Sequence, residues 1–371
     1  MWIYEHKNWP NFTWDGEMLG NKLSEARYAQ GRLLGRMEAL GFELKQKANL
    51  STLINDVIKS SAIEGENLDV EQVRSSIARH LGLDIAGLIP ANRDVDGIVE
   101  MMLDATEQFS KPLTKQRLFD WHAALFPTGR NGIHKIAIGS WRRVDTEPMQ
   151  VVSGRIGRER VHFKAPTADS LDDEMRKFLG WFEKENNIDP ILKTAIAHLW
   201  FVTIHPFEDG NGRIARAISD MSLARSDGMS QRFYSLSSQI ELERKDYYNQ
   251  LERQQRGSLD ITGWLEWFLG CFERAISNAK IALENVLFKA QLWDKINQNP
   301  VNKRQQTIIN RMLDDDFKGY MNTSKYAKLA KCSNDTALRD IQDLKKRCIF
   351  IQNPGGGRST SYRLTDKTSF N

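Results

Sequence analysis

The chain has 371 residues, 52 of them basic and 48 acidic, so its net charge of +4 points to neither a nucleic acid nor a strongly acidic partner. Cys271, Cys332 and Cys348 lie too far apart for a CxxC pair, which predicts reduced thiols in a cytoplasmic protein and excludes a disulfide frame or a cysteine zinc site. There is no basic start leading into an apolar run, and no uncharged apolar stretch near the ~18–20 residues that span a bilayer, so neither a signal peptide nor a membrane partner is expected.

At roughly 100–200 residues per domain, two or three domains are predicted. The first 45 residues carry Trp2, Trp9 and Trp14 but no motif, and read as packing. From about residue 15 to 290 the pattern is mainly helical. Leu50, Leu53, Ile54, Val57 and Ile58 recur at helical spacing in a helix predicted to run from about Leu50 to near Glu64, because Gly65 suits the left-handed position after a helix. A carboxylate at a helix C-terminus opposes the dipole at a cost of about 0.3–1 kcal/mol when exposed. An arginine from elsewhere in the fold would offset it. "MQVVSGRIGRERVHF", Met149–Phe163, reads as a β-hairpin around a Gly- and Arg-rich turn. A helix is expected next, with Ser170 as its N-cap and Asp172 and Asp173 in its first turn.

Two further helices are predicted around a short loop. Ile191, Leu192, Ala195, Ile196 and Leu199 mark the first, and Ile214, Ala217, Ile218 and Met221 the second. Between them stands "HPFEDGNGRIAR", His205–Arg216. Pro206 disfavours helical geometry at His205. Gly210 and Gly212 free the backbone to turn and let a ligand come close. The unpaired amides of a helix starting near Asn211 form an anion site, to which Arg213 and Arg216, one turn apart on one face, add positive charge. Asp209 is positioned to hold Mg2+ against phosphates, and the His205 imidazole can take a proton from a hydroxyl near neutral pH. Phe207 is expected to point inward. Each element alone is more often structural: a capping histidine, an ordinary turn, a solvated arginine face. Gathered within twelve residues they describe a phosphoryl- or nucleotidyl-transfer site.

The same twelve residues resemble the Fic motif, HxFx(D/E)GNGRxxR, without departure. The resemblance extends over roughly residues 95–285: "GSWR", Gly139–Arg142, is similar to the segment before the Fic flap, and Tyr234–Leu251 to the segment after the motif helices. It implies transfer of AMP from ATP, with Mg2+, to a Tyr, Ser or Thr hydroxyl of a protein target or of the chain itself. His205 would be the base and Asp209 the metal ligand. Gly210, Asn211, Gly212 and Arg213 would hold the phosphates, and Arg216 the γ-phosphate. Tyr248 and Gln255 match positions lining the adenosine pocket, although Gln255 stands where an Asn is expected. Met149, Gln150, Val151 and Val152 would be the flap that registers the target strand. Ser60-x-x-x-Glu64-Gly65 resembles the inhibitory motif (S/T)xxxE(G/N), with Glu64 competing for Arg216. The same glutamate could instead position a water that removes AMP.

The tail from Val301 to Asn371 carries 14 basic and 7 acidic residues, a basic module hidden by the global balance. Three helices followed by two strands around a Gly-rich wing read as a winged helix-turn-helix, with Asn334, Thr336, Arg339 and Arg358 facing DNA. Asp335, Asp340 and Asp343 count against that reading, and packing or homodimerisation is its alternative. The expected fold is mainly α: a helical segment with the inhibitory helix (1–94), a Fic helical bundle with a β-hairpin flap (95–290), and a winged helix (298–371). A DNA-binding regulator whose Fic pocket senses nucleotide is the reading from another functional class.

Overall fold

The computed structural model describes the chain except for residues 84–86, 132–133, 144–148, 154–159, 186, 314–316, 355–359 and 366–371. The turn expected in the flap hairpin and Arg358 of the expected wing lie outside the described residues. The fold is mostly helical and divides into two compact units, residues 1–280 and 281–371.

In the first unit, α1 (Gly16–Glu38), α2 (Phe42–Ile63), α3 (Val70–His80), α4 (Arg93–Glu107) and α5 (Lys115–Leu125) precede two short antiparallel pairs. These are β1 (Arg130–Asn131) with β2 (His134–Lys135), and β3 (Gln150–Ser153) with β4 (Arg160–Lys164). There follow α6 (Leu171–Glu183), α7 (Pro190–Ile204), α8 (Asn211–Asp227), α9 (Leu236–Leu242), α10 (Arg244–Gln255) and α11 (Thr262–Gln298), whose C-terminal part belongs to the second unit.

At the centre α7 packs along α8, and α2, α4 and α5 also contact α8. Every residue of α7 from Thr194 to Ile204 is buried, as expected of a helix that is apolar all round. It starts cleanly: the Asp189 carboxylate accepts from the Ile191 amide at 2.8 Å, and Pro190 fills the first turn, where no amide partner is needed. Two of the three N-terminal tryptophans, Trp2 and Trp9, do pack. Trp2 meets Phe163 edge-on, and Trp9 meets Trp200 while its indole N–H donates to Glu174.

Two local expectations are corrected. Helix α2 begins at Phe42, a full two turns before Leu50, because residues 43–47 are helix formers whose side chains stay largely outside the core, so apolar spacing does not reveal them. Ser170 is not a side-chain N-cap. A 3-10 turn over Ala168–Ser170 leads straight into α6, Ser170 has helical dihedrals, and its hydroxyl donates back to the Thr167 carbonyl at 2.8 Å.

The second unit holds α12 (Lys303–Leu313), α13 (Thr323–Ala330), α14 (Asn334–Lys346), β5 (Phe350–Gln352) and β6 (Tyr362–Leu364). The two strands pair antiparallel, and Met321 bridges to Tyr362 beside them. Ile308, Ile309, Tyr326, Ala337, Ile341, Leu344 and Phe350 form its core. Asp340 of α14 faces inward and accepts from Arg304, Asn302 and Tyr326.

Candidate active site

The loop between α7 and α8 is built from two left-handed residues. His205, at φ 53° and ψ 57°, closes α7, and its amide donates to the Phe201 carbonyl. This conformation costs a non-glycine residue roughly 1–2 kcal/mol, so neighbours must hold it. Arg142 does so. Its amide donates to the Pro206 carbonyl, its Nε to the His205 carbonyl at 2.9 Å, and its Nη2 to Pro166 at the end of the hairpin. The role of "GSWR" is thereby explained in part: its arginine ties the strand pair to the loop. Gly210, at φ 79°, opens α8, and a Cβ there would press on the Phe126 ring at 3.0 Å. Phe207 is fully buried and stacks on the His122 ring at 4.2 Å.

Asn211 spans the loop. Its Oδ1 accepts from the Phe207 amide at 3.0 Å, and its Nδ2 donates to the Phe207 carbonyl at 2.8 Å. Both ends of the side chain are thus used inside the loop, leaving the Asn211 backbone amide as its means of meeting an anion.

The start of α8 does meet an anion, one from the chain itself. Glu64, the C-cap of α2, is followed by Gly65 at φ 88°, as the sequence predicts. A Cβ added to Gly212 would come within 2.1 Å of Glu64 Oε1, so the carboxylate lies directly over the first turn of α8. Arg216 Nη2 donates to Glu64 Oε1 at 2.8 Å and to the Ser60 carbonyl, and Arg216 Nε donates to Ser60 Oγ at 2.8 Å. Tyr248 donates to Glu64 Oε2 at 3.3 Å. Burial pushes the Glu64 carboxyl up, but the charge and hydrogen bond of Arg216, with help from Arg213 and Tyr248, outweigh that and hold it below the usual carboxylate range.

Sequence reasoning missed a second contact of the same kind. Arg213 Nη1 donates to Glu66 Oε2 at 2.7 Å, so both motif arginines are engaged by one turn after α2. The signal was present in "IEGEN", two glutamates flanking a glycine. One guanidinium nitrogen of each remains unspent: Arg216 Nη1 and Arg213 Nε are buried with no hydrogen-bond partner among the described residues. Buried cationic donors without acceptors beside a helix start fit a polyphosphate.

His205 Nδ1 lies 3.2 Å from the Val202 carbonyl and donates to it, which leaves Nε2 with its lone pair. Burial pushes the imidazole down to about 4, against the backbone hydrogen bond to Val202, so the ring is neutral at physiological pH and can accept a proton. The Asp209 carboxylate is partly exposed, accepts from the Gly210 amide at 2.5 Å and stands 3.9 Å from Arg213. No cluster of three metal-ligating side chains occurs among the described residues. A single carboxylate beside a phosphate nest suits Mg2+, which takes one or two protein carboxylates and completes its shell from substrate and water.

The remaining predicted residues are brought to the neighbourhood in different ways. Tyr248 contacts the Glu64 carboxylate. Gln255 is buried, and its amide donates to Val202 and Thr203 at the end of α7, at 3.4 Å each. On the strand pair, Gln150, Val151 and Val152 belong to β3, and Met149 extends the ladder by accepting from the Ala165 amide.

Residues 112–223 match the model of the Fic/DOC family, and residues 2–83 that of a domain of unknown function, DUF4172. The chain carries a Fic/DOC family domain. The Fic match covers the whole loop just described together with α5 to α7 and most of α8. The chain is 26% identical over 267 residues to a protein adenylyltransferase Fic of Culex quinquefasciatus, covering 70% of this chain and 48% of that protein. It is 32% identical over 135 residues to a uridine 5'-monophosphate transferase of Xanthomonas campestris pv. campestris, covering 33% and 24%. It spans about half the length, or less, of these curated relatives. A solved Fic family protein from Desulfovibrio desulfuricans shares the fold, with a TM-score of 0.52 at 21% identity over 94% of this chain and 95% of that one.

Proposed function

We propose that this chain is a protein nucleotidyltransferase that moves AMP from ATP onto a Tyr, Ser or Thr hydroxyl of a target protein or of itself, and that Glu64 restrains it. One observation carries the reading: the Glu64 carboxylate sits over Gly212 and on Arg216, where the fold offers a polyphosphate its amides and guanidinium groups. The curated Fic relatives, named as adenylyltransferases, support the donor and the reaction type.

In this reading the unspent donors of Arg213 and Arg216 and the first amides of α8 bind and orient the triphosphate. Asp209 would hold Mg2+, which supplies charge neutralisation at the phosphates. His205 Nε2 receives the proton of the attacking hydroxyl. Tyr248 and Gln255 border the nucleoside, and the edge of β3, with Met149 to Val152, aligns the incoming segment by main-chain pairing. Glu64 leaves room for ATP to bind in a pose unsuited to in-line attack. The test is intact mass after ATP and Mg2+, for the parent and for Glu64→Gly. The variant should gain AMP at least about tenfold faster, or about 1.4 kcal/mol, the order of one charge-assisted hydrogen bond from Arg216 to Glu64. Equal or slower gain in a folded variant overturns the restraint. Parallel samples with UTP decide the donor, since one relative is named for UMP transfer.

For the second unit we infer a winged helix that binds DNA. Asp340 and Asp343, which weigh against DNA in the sequence, are both engaged by partners within the unit, Asp340 with Arg304 and Asp343 with Arg347 and Gln305. Asn334, Asp335 and Arg339 are exposed on α14, so of the three acidic residues Asp335 still counts against the reading. Binding to duplex DNA should weaken steeply as salt rises, and a flat response would overturn it.

A further inference from the structure

Arg216 is buried, and the hydrogen bonds from its Nε and Nη2 go to Ser60 and Glu64, on α2 and its cap. A buried guanidinium that lost those acceptors would need another to keep its place. A second set of polar groups reaches it from other helices. Tyr247 of α10, His198 of α7 and Ser219 of α8 are buried, with at most 2% of their surface accessible. His198 Nε2 lies 2.9 Å from the Tyr247 hydroxyl, and His198 Nδ1 lies 2.9 Å from Ser219 Oγ. The Trp264 ring stacks on the imidazole, and its indole N–H is fixed by the Ala195 carbonyl at 2.8 Å.

The direction of these bonds follows from their ends. The Ser219 hydroxyl donates its one proton to the Ala215 carbonyl at 2.9 Å, so towards His198 it can only accept. His198 Nδ1 therefore carries the ring proton, Nε2 keeps its lone pair, and the Tyr247 hydroxyl donates to it. The reverse order would turn the Tyr247 proton towards the Arg216 cation, which repels it. Burial, with the charge of Arg216 adding to it, pushes the His198 imidazole down to about 3, so the ring is neutral at physiological pH. Burial pushes the Tyr247 hydroxyl up, against the charge of the Arg216 guanidinium beside it, so the phenol keeps its proton. With that proton committed to His198, the Tyr247 oxygen shows Arg216 only lone pairs.

We propose that Tyr247, set by His198, is a positioning residue for Arg216. Its oxygen stays with the guanidinium when Glu64 gives way, so that the cation keeps its place for the polyphosphate. The proposal rests on the nucleotide binding argued above. Adjacent tyrosines of α10 then divide the work, Tyr248 on the Glu64 carboxylate and Tyr247 on the arginine. Neither Tyr247 nor His198 belongs to α2, so their arrangement does not depend on the restraint being in place.

The first test adds Tyr247→Phe to the Glu64→Gly chain, which removes the oxygen and keeps the ring. ATP and AMP are titrated calorimetrically into the chain with and without it. AMP lacks the β- and γ-phosphates, so it reports the nucleoside pocket alone. The ratio of ATP to AMP affinity should fall at least about tenfold, the order of one hydrogen bond to a charged group. A merely structural loss would lower both affinities together or neither, so a smaller fall in the ratio overturns the proposal and leaves the nucleotide site standing. If the Glu64→Gly chain itself binds neither nucleotide, the reading of the site falls and this proposal with it. The second test needs neither nucleotide nor a variant. In nitrogen NMR of the parent chain, the histidine ring in contact with the Trp264 and Tyr247 ring protons should be the neutral Nδ1–H form and should not titrate between about pH 5 and 8. An Nε2–H form overturns the proposal, because Tyr247 then accepts from His198 and its own proton faces Arg216. An Nδ1–H ring with the affinity ratio unchanged leaves the hydrogen-bond chain standing, and the positioning role falls.

Discussion

Glu66 and Arg213 form an ion pair at 2.7 Å only two residues beyond the pair of Glu64 with Arg216, yet the two contacts differ in kind. Glu66 is pushed above the usual carboxylate range, first by burial, against Arg213, with Asp209, Glu64 and Asp94 adding to the rise. Glu64 is held below it. The Glu66 pair therefore fails to offset its own desolvation, whereas the Glu64 pair more than does so. Glu66→Gln should consequently raise AMP incorporation by less than about fivefold, an effect of about 1 kcal/mol at most for a partly exposed partner. Release as large as that of Glu64→Gly, measured side by side, would refute this ranking.

The opposite shifts also order the two groups in pH. Glu64, with a depressed folded pKa, contributes stability above its unfolded value of about 4.3, and that contribution is lost only as pH falls through the lower folded value. Glu66, with a raised folded pKa, costs stability while ionised, and the cost is relieved as pH falls through that higher value. Carboxyl carbon NMR should thus show Glu66 protonating first on acidification and Glu64 after it. A reversed order would show that Arg216 does not dominate at Glu64.

What could be read from the chain itself follows from distance along it. The loop chemistry was legible because His205 to Arg216 are contiguous, and the helix ends around them are marked by Pro206, Gly210 and Gly212. Glu64 was legible because Gly65 marks the end of α2 and the residues around it carry a motif. Glu66 has no such marker and reads as a surface charge until Arg213, 147 positions away, is seen beside it. The role of Arg142 was hidden for the same reason, since long-range side-chain contacts leave no periodicity. Asn211 shows the converse. Its place in the motif suggested a phosphate ligand, while its side chain is spent on Phe207.

Gly212 separates restraint from nucleotide binding. A Cβ there would meet Glu64 Oε1 at 2.1 Å and Arg216 Nη1 at 3.2 Å. Gly212→Ala must therefore displace the carboxylate, which on the function proposed above releases the restraint, but the same methyl would occupy the space proposed for a phosphate. Unlike Glu64→Gly, it should lose the inhibitory contact without gaining activity, with ATP affinity down at least about tenfold, or about 1.4 kcal/mol. Calorimetric ATP titration of both variants checks this. An active Gly212→Ala would mean that phosphates do not approach α8 at this residue.

Arg142 tests how the strained His205 is held. Its buried guanidinium serves two carbonyls from different segments, His205 and Pro166, while its amide serves Pro206. Lysine offers a point charge without the planar fork, so Arg142→Lys leaves at least one buried carbonyl unpaired at a cost of about 1–3 kcal/mol. Without the bond to its carbonyl, His205 can relax from φ 53° toward commoner backbone angles, carrying the imidazole away from an incoming hydroxyl. In the Glu64→Gly background the variant should melt several degrees lower, and kcat for AMP transfer should fall about tenfold, with KM for ATP changed less than kcat because the arginines and α8 are untouched. If melting falls while kcat holds, Arg142 supports the fold alone and something else keeps the imidazole in position.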